Sequence, residues 1–377
     1  MSQNQREVIA YLSDPRHYPG RPRGVDVIET HFAWVFLAAG KAYKLKKPTR
    51  QVSMDYRTVE ARERGCRNEL RLNRRLAPRI YRRVVPIVRS ATGGLALGRG
   101  PRVLDWLVEM RRLPAARMLD RAIREGKVRL SDVRRVVRRL VRFFRHARSW
   151  PLPDSAYRAR LRRQISESAR DLAAPDLKLR RRSFEPVIRA QLEFLVAGAE
   201  VLAGRGARLV EGHGDLRPEH VYLGTRGSAA CVIDCLEFEA NLRRLDPAEE
   251  IAFLALECER SGARELARDL IAAYRSTARD AAASALIYFY MSRRAVTRAK
   301  IAAWHLRDEQ FAGEHRLWRA HAYSYLRDAL RHIRSAQRAL PLRLLEQLRH
   351  QREQLVGSQR LAGDAQVRVR LQALHGE

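Results

Sequence analysis

Alternating and helical hydrophobic patterns are segregated along this chain, and that segregation constrains the fold more than any other feature. Strand-like runs, β-branched and aromatic, occupy Asp26 to Leu37, Lys41 to Lys47, Ile80 to Val88, Leu95 to Gly98 and Val103 to Met110. One helical segment, Asp55 to Leu76, interrupts them and stops at Ala77-Pro78. Beyond Pro114 nearly every window has helical spacing, apart from a strand–loop–strand insert between Ala207 and Phe238. The pattern predicts an α+β protein with a small β-rich N-terminal lobe, 1–112, and a large helical C-terminal lobe, 113–340. A helical tail over 341–377 carries no assigned role.

Charge narrows the function classes less than it first suggests. The sequence has 74 basic and 42 acidic residues, a formal charge of +32. Seven of the basic residues are lysine and 67 arginine, dispersed along the chain, which reads as genome composition and makes nucleic acid an unexpected partner. The densest block, Arg129 to Arg148, sets Val133, Val136, Val137, Leu140, Val141 and Phe144 on one helical face and its arginines on the other, with Ser131 as the expected N-cap. The longest apolar run, Ala281 to Met291, is about half of the ~20 residues a spanning helix needs. The N-terminus lacks the layout of a signal peptide, and four scattered cysteines form neither a disulfide framework nor a zinc pattern. A cytoplasmic protein without a membrane partner is the expectation. Nothing in the pattern sets an oligomeric state.

The chemistry concentrates in the insert. His213-Gly214-Asp215-Leu216-Arg217-Pro218-Glu219-His220 lies between apolar segments, and Asp234 follows Asp215 by nineteen positions at the end of Cys231-Val232-Ile233. Two carboxylates on neighbouring strand ends can divide phosphoryl transfer, Asp215 accepting the proton of an attacking hydroxyl and Asp234 holding magnesium. Lysine usage argues independently. Lys41, Lys44, Lys46 and Lys47, four of the seven, fall within seven residues. Ala42, Lys44 and Lys46 share a strand face, and Ala-x-Lys matches a strand whose lysine reaches nucleotide phosphates. Lys44 is the choice and Lys46 the alternative. Its expected partner is Glu69, on the stripe of Cys66, Leu72 and Leu76, with Glu63 competing.

H-G-D-L-x-P followed by I-D-x-x-E resembles the aminoglycoside phosphotransferase family, relatives of the protein kinases. The stretches VIETHFAWVFLAAGKAYKLKKP, CRNELRLNRRLAPRIY, HGDLRPEHV, VIDCLEFE and RRAVTRAK resemble, more closely, a group of uncharacterised bacterial proteins often fused to a C-terminal P-loop kinase domain. This sequence contains no such domain and no G-x-x-x-x-G-K-[ST] motif. The resemblance implies a two-lobed protein-kinase-like fold and an ATP-dependent phosphotransferase, using ATP or another NTP with Mg²⁺ or Mn²⁺ on a small-molecule acceptor. It places adenine against the backbone of Glu109, Met110 and Arg111. It sets Glu29-Thr30-His31-Phe32 in the place of a glycine-rich phosphate loop, where Thr30 or His31 would contact phosphate, and Arg217 toward the transferring phosphoryl group. His220 stands where most such enzymes carry a metal-binding asparagine, so the expected metal set is Asp234 with His220 and Glu237. Imidazole suits Mg²⁺ poorly. That departure keeps a nucleotide-binding pseudokinase with a regulatory or interaction role as the alternative. Eight acids between Asp234 and Glu259 suggest a cationic substrate or a metal, whereas Arg294, Arg298 and Lys300 suggest an anionic one.

Overall fold

The computed structural model describes residues 3–344, apart from 52–53, 92 and 226–228, together with residue 346. The tail expected over 341–377 lies almost wholly outside the described residues. The chain forms two compact units, one from Met1–Trp150 and Arg208–Asp280, the other from Pro151–Ala207 and Ala281–Glu377. The boundary drawn after Arg112 from the sequence falls inside the first unit.

The first unit opens with helix α1 (Gln3–Ser13) and a six-stranded antiparallel sheet. Its strands are β1 (Asp26–Glu29), β2 (Ala33–Ala38), β3 (Lys41–Lys46), β6 (Tyr81–Arg89), β7 (Leu95–Leu97) and β8 (Arg102–Arg111), in the spatial order β1-β2-β3-β8-β6-β7. A short pair, β4 (Arg50–Gln51) and β5 (Met54–Asp55), precedes helix α2 (Val59–Asn73). The apolar run from Asp26 breaks into two strands because the Thr30 hydroxyl accepts from the Ala33 amide at 3.0 Å and closes a turn. Ala39 and Gly40, both at positive φ, form the two-residue turn that suits a twisted hairpin.

Strand alternation divides the core. Trp34, Phe36, Tyr43, Leu45 and Leu107 pack with Val8 and Leu12 of α1 on one face. Ala42, Val108 and Met110 pack on the other with Cys66 of α2 and with Tyr222 and Cys231. Lys44 and Lys46 belong to this second face. A Leu107→Ala cavity at the centre of the sheet would cost about 2–5 kcal/mol, since that side chain is wholly buried.

Helices α3 (Leu119–Arg124) and α4 (Leu130–His146) follow the sheet. Helix α4 starts one residue before the expected Ser131 cap, because Asp132 accepts from the Arg129 amide at 3.3 Å. Two hairpin-like pairs then carry the chemistry: β9 (Val210–Glu211) with β12 (Arg244–Leu245), and β10 (Val221–Tyr222) with β11 (Cys231–Val232). Helices α8 (Ala240–Arg243), α9 (Pro247–Arg260) and α10 (Arg264–Ala278) complete the unit.

The second unit contains helices and no strand among the described residues: α5 (Asp154–Leu172), α6 (Glu185–Ala197), α7 (Ala199–Leu202), α11 (Ser284–Trp304) and α12 (His315–Arg338). Phe194 stacks on Phe289 at 4.6 Å, and Gln191 donates to the Ser292 hydroxyl at 2.8 Å, which pairs two polar groups inside this core. No helix among the described residues is long and apolar enough to cross a membrane.

Candidate active site

The site is assembled within the first unit from one strand, one helix and two loops. Lys44 on β3 reaches Glu69 Oε1 at 3.0 Å and Asp234 Oδ1 at 2.5 Å, joining residues far apart in sequence. Glu69 has no exposed surface. Its other oxygen takes the Lys46 ammonium at 2.6 Å. The competitor Glu63 instead pairs with Arg67 one helical turn on, at 2.7 Å. Desolvation works against the charge on Lys44, but Asp234 and Glu69 outweigh it and hold the ammonium well above the usual lysine range.

The loop carrying Asp215 is held from below. Gly212 lies so close to Glu250 of α9 that a Cβ there would come within 2.9 Å of its carboxylate. That carboxylate accepts from the amides of His213, at 2.9 Å, and Gly214, at 2.5 Å. Gly214 has φ +89°, which favours glycine, and its missing Cβ spares Arg243 and Leu236. His213 is buried, donates from Nε2 to the Ile233 carbonyl at 2.9 Å and accepts the Asp215 amide on Nδ1 at 3.3 Å. Burial, reinforced by His220, pulls its pKa down to about 4.

Asp215 Oδ2 faces Arg217 Nη2 at 3.0 Å, and Arg217 also pairs with Glu219. His220 Nδ1 donates to the Asp215 carbonyl at 2.8 Å, so in the neutral ring Nε2 carries the lone pair. That lone pair receives Arg217 Nη2 at 3.3 Å and lies 3.6 Å from Asp234 Oδ2.

Asp234 adopts a left-handed backbone, φ +61°. Its amide donates to the Tyr81 hydroxyl at 3.1 Å, and the next amide, of Cys235, donates to Asn73 Oδ1 at 2.9 Å. Desolvation would raise the Asp234 pKa, yet Lys44 and His220 hold it well below the usual carboxylate range.

Several residues expected at the site have other partners in the structure. Glu237, expected among the metal ligands, pairs with Lys46 and accepts the Tyr56 hydroxyl at 2.9 Å, and no group of three metal-ligating side chains converges among the described residues. The backbone expected to meet adenine is largely committed inside the protein. The Arg111 amide donates to the Ile80 carbonyl and that of Arg112 to Gly40, each at 2.9 Å, while the Glu109 side chain pairs with Lys41 and Arg83 on the opposite sheet face. Among the acids after Asp234, Glu239 accepts from the Asn241 amide, Asp246 caps α9 and Glu250 braces the Asp215 loop, so much of that window serves the backbone. Thr30 spends its hydroxyl on its own turn. Lys300 pairs with Asp171 at 3.1 Å and Arg298 lies over the Tyr325 ring, both inside the second unit.

Sequence reasoning missed Tyr81, Asn73, Tyr56 and the bracing role of Glu250. Asn73 carried a signal, being a polar residue four positions after Glu69 on the same buried stripe. Tyr81 carried none, since an aromatic residue opening a strand reads as core.

No family model matches the chain. Uncharacterized proteins of Mycobacterium tuberculosis (strain ATCC 25618 / H37Rv) and Mycobacterium bovis are each 34% identical to it over 281 residues, 74% of this chain and 54% of theirs. The chain thus spans about half the length of the curated relatives it matches. Among solved structures, a choline/ethanolamine kinase family protein from Mesorhizobium loti superposes with a TM-score of 0.52 at 14% identity, covering 88% of this chain and all of that one. At that identity the likeness concerns architecture alone, and the architecture is clear: the chain has the kinase-like α+β fold.

Proposed function

We propose that this protein is an ATP-dependent phosphotransferase that moves the γ-phosphoryl group to a hydroxyl of a small molecule. The observation that carries this reading is the placement of Lys44 between Glu69 and Asp234. An ammonium has three donors, so Lys44 keeps one for a phosphate oxygen while both acids fix its direction. The apolar sheet face beside it, with Val35, Ala42, Met110, Leu113, Tyr222 and Ile233, suits an adenine ring. With the Arg111 and Arg112 amides committed, the base would meet the chain at Leu113.

Asp234 Oδ2 and His220 Nε2, two acceptors 3.6 Å apart, would hold a divalent ion whose remaining ligands are nucleotide oxygens and water. When bound, such an ion supplies positive charge to the phosphates. Arg217 covers the carboxylate of Asp215. In the working complex Arg217 would turn to the transferring phosphoryl group, freeing Asp215 to accept the acceptor's hydroxyl proton. The acceptor oxygen then bonds to phosphorus as the bond to the ADP oxygen breaks.

Nucleotide-dependent thermal shifts and ATP turnover test this reading. Asp215→Asn should reduce turnover by ~10²–10⁴-fold with nucleotide affinity nearly unchanged. Asp234→Asn should weaken metal-supported binding instead. Equal effects of both on affinity contradict the division of roles. A nucleotide-binding pseudokinase is the second reading, favoured by the histidine at 220, and it predicts binding without turnover.

A further inference from the structure

Lys46, the alternative to Lys44 in the sequence, has a different place in the site. It lies on the same strand face as Lys44 and is 2% exposed, yet it is fully partnered. Its ammonium meets Glu69 Oε2 at 2.6 Å, Glu237 Oε1, and the face of the Tyr56 ring at 5.0 Å from the centroid. Tyr56 in turn donates to the same Glu237 oxygen at 2.9 Å. Room for this arrangement comes from Gly65, one turn before Glu69 on α2. A Cβ there would lie 2.7 Å from the Tyr56 ring and 3.1 Å from the Lys46 stem.

The donor count separates the two lysines. Lys44 spends two directions on carboxylates and keeps one, whereas Lys46 faces two carboxylates and a ring and has none left for a nucleotide. Glu69 is divided between them, one oxygen each. Removing Lys46 would leave Glu69 bound to Lys44 alone and Glu237 without its cation. The loop that carries both Asp234 and Glu237 would lose one of its ties to the sheet, keeping those of Asp234 to Lys44 and to the Tyr81 hydroxyl. We propose that Lys46 is a positioning residue: by bridging Glu69 to Glu237 it fixes at once the carboxylate that aims Lys44 and the loop that presents Asp234. The inference rests on the phosphotransferase reading for its consequence, though not for its geometry.

The test uses the full chain, with ATP as probe in the presence and absence of MgCl₂, and compares wild type with Lys46→Met, Glu237→Gln and the double variant. Lys46→Met should weaken Mg²⁺-supported ATP binding by ~10–100-fold, the range typical of residues that orient metal ligands, and change metal-free binding far less. Glu237→Gln in the Lys46→Met background should recover melting temperature, because a buried unpaired carboxylate is removed, without recovering Mg²⁺–ATP affinity. Recovery of that affinity would overturn the proposal, since it would mean that Lys46 only neutralises Glu237. An unchanged Mg²⁺–ATP affinity in Lys46→Met would overturn it equally. If Lys46→Met does not fold, Tyr56→Phe removes only one hydroxyl from Glu237 and is read the same way, a metal-selective loss supporting the proposal and its absence refuting it. Failure of wild type to bind ATP under any condition refutes the phosphotransferase reading. In that event the Lys46 bridge is judged by the melting temperatures, where Glu237→Gln must cost wild type more than it costs Lys46→Met.

Discussion

Acidification should reveal His213 before it reveals the carboxylates. The ring is buried, with Nε2 donating to Ile233 and Nδ1 accepting from Asp215, so the neutral tautomer satisfies every polar atom. A second proton would set two N–H groups against each other, and burial holds the pKa at about 4 against a usual 6.5. Between those values the unfolded chain binds a proton that the folded chain refuses. Stability therefore falls as pH falls through this window, by about 1.4 kcal/mol per pH unit at its steepest and about 3 kcal/mol in all. Below about 4 both states are protonated and this loss stops growing. Chemical denaturation across pH 7.5 to 4, compared with His213→Asn, isolates the effect, because other titrating groups are common to both proteins. The wild-type curve should descend more steeply. Parallel curves across the window would show that His213 is protonated in the folded protein and that the tautomer assigned here is wrong.

Glu250→Ala should destabilise the first unit by about 2–4 kcal/mol, since two buried amides lose their acceptor, and should do so without nucleotide present; denaturation midpoints check this. Gly65→Ala, although better for a helix, should cost about 1–3 kcal/mol because the added Cβ meets Tyr56, and an unchanged melting temperature would contradict that crowding. His220→Asn should raise Mg²⁺-supported relative to Mn²⁺-supported turnover, as oxygen replaces nitrogen at the ion; a ratio that does not move removes His220 from the metal set.

Much of this site was legible in one dimension because its residues interrupt patterns. Asp215 and Asp234 sit in apolar surroundings, Glu69 breaks a buried helical stripe, and four lysines cluster in a chain that otherwise uses arginine. Each clustered lysine proves to have an acid: Lys41 has Glu109, Lys44 and Lys46 share Glu69, and Lys47 has Glu29 at 2.5 Å. What stayed hidden were partners without a pattern to break. Whether Glu237 faces a metal or a lysine depends on where β3 lies, and that is a long-range fact. The Asp234 amide could find a Tyr81 hydroxyl only after β6 and the loop had come together, 153 residues apart in sequence. Helix ends were read to within a few residues, and α4 began early because the competing acceptor Asp132 took the Arg129 amide.

The interleaving of the two units has a consequence for synthesis. Residues up to Trp150 carry the whole six-stranded sheet, but one face of that sheet is covered partly by Tyr222 and Cys231. Those residues emerge only after Pro151–Ala207, a segment belonging to the other unit, has been made. At about 5–20 residues per second, a nascent chain waits some seconds between completing β8 and receiving the hairpin that covers Ala42, Val108 and Met110. The segment Pro151–Ala207 waits in turn for α11 and α12, so neither unit can close without residues that follow a piece of the other. Apolar surface on a growing chain is thus exposed by the order of the sequence itself. Ribosome-bound intermediates ending between residues 150 and 230 are where chaperone engagement should peak.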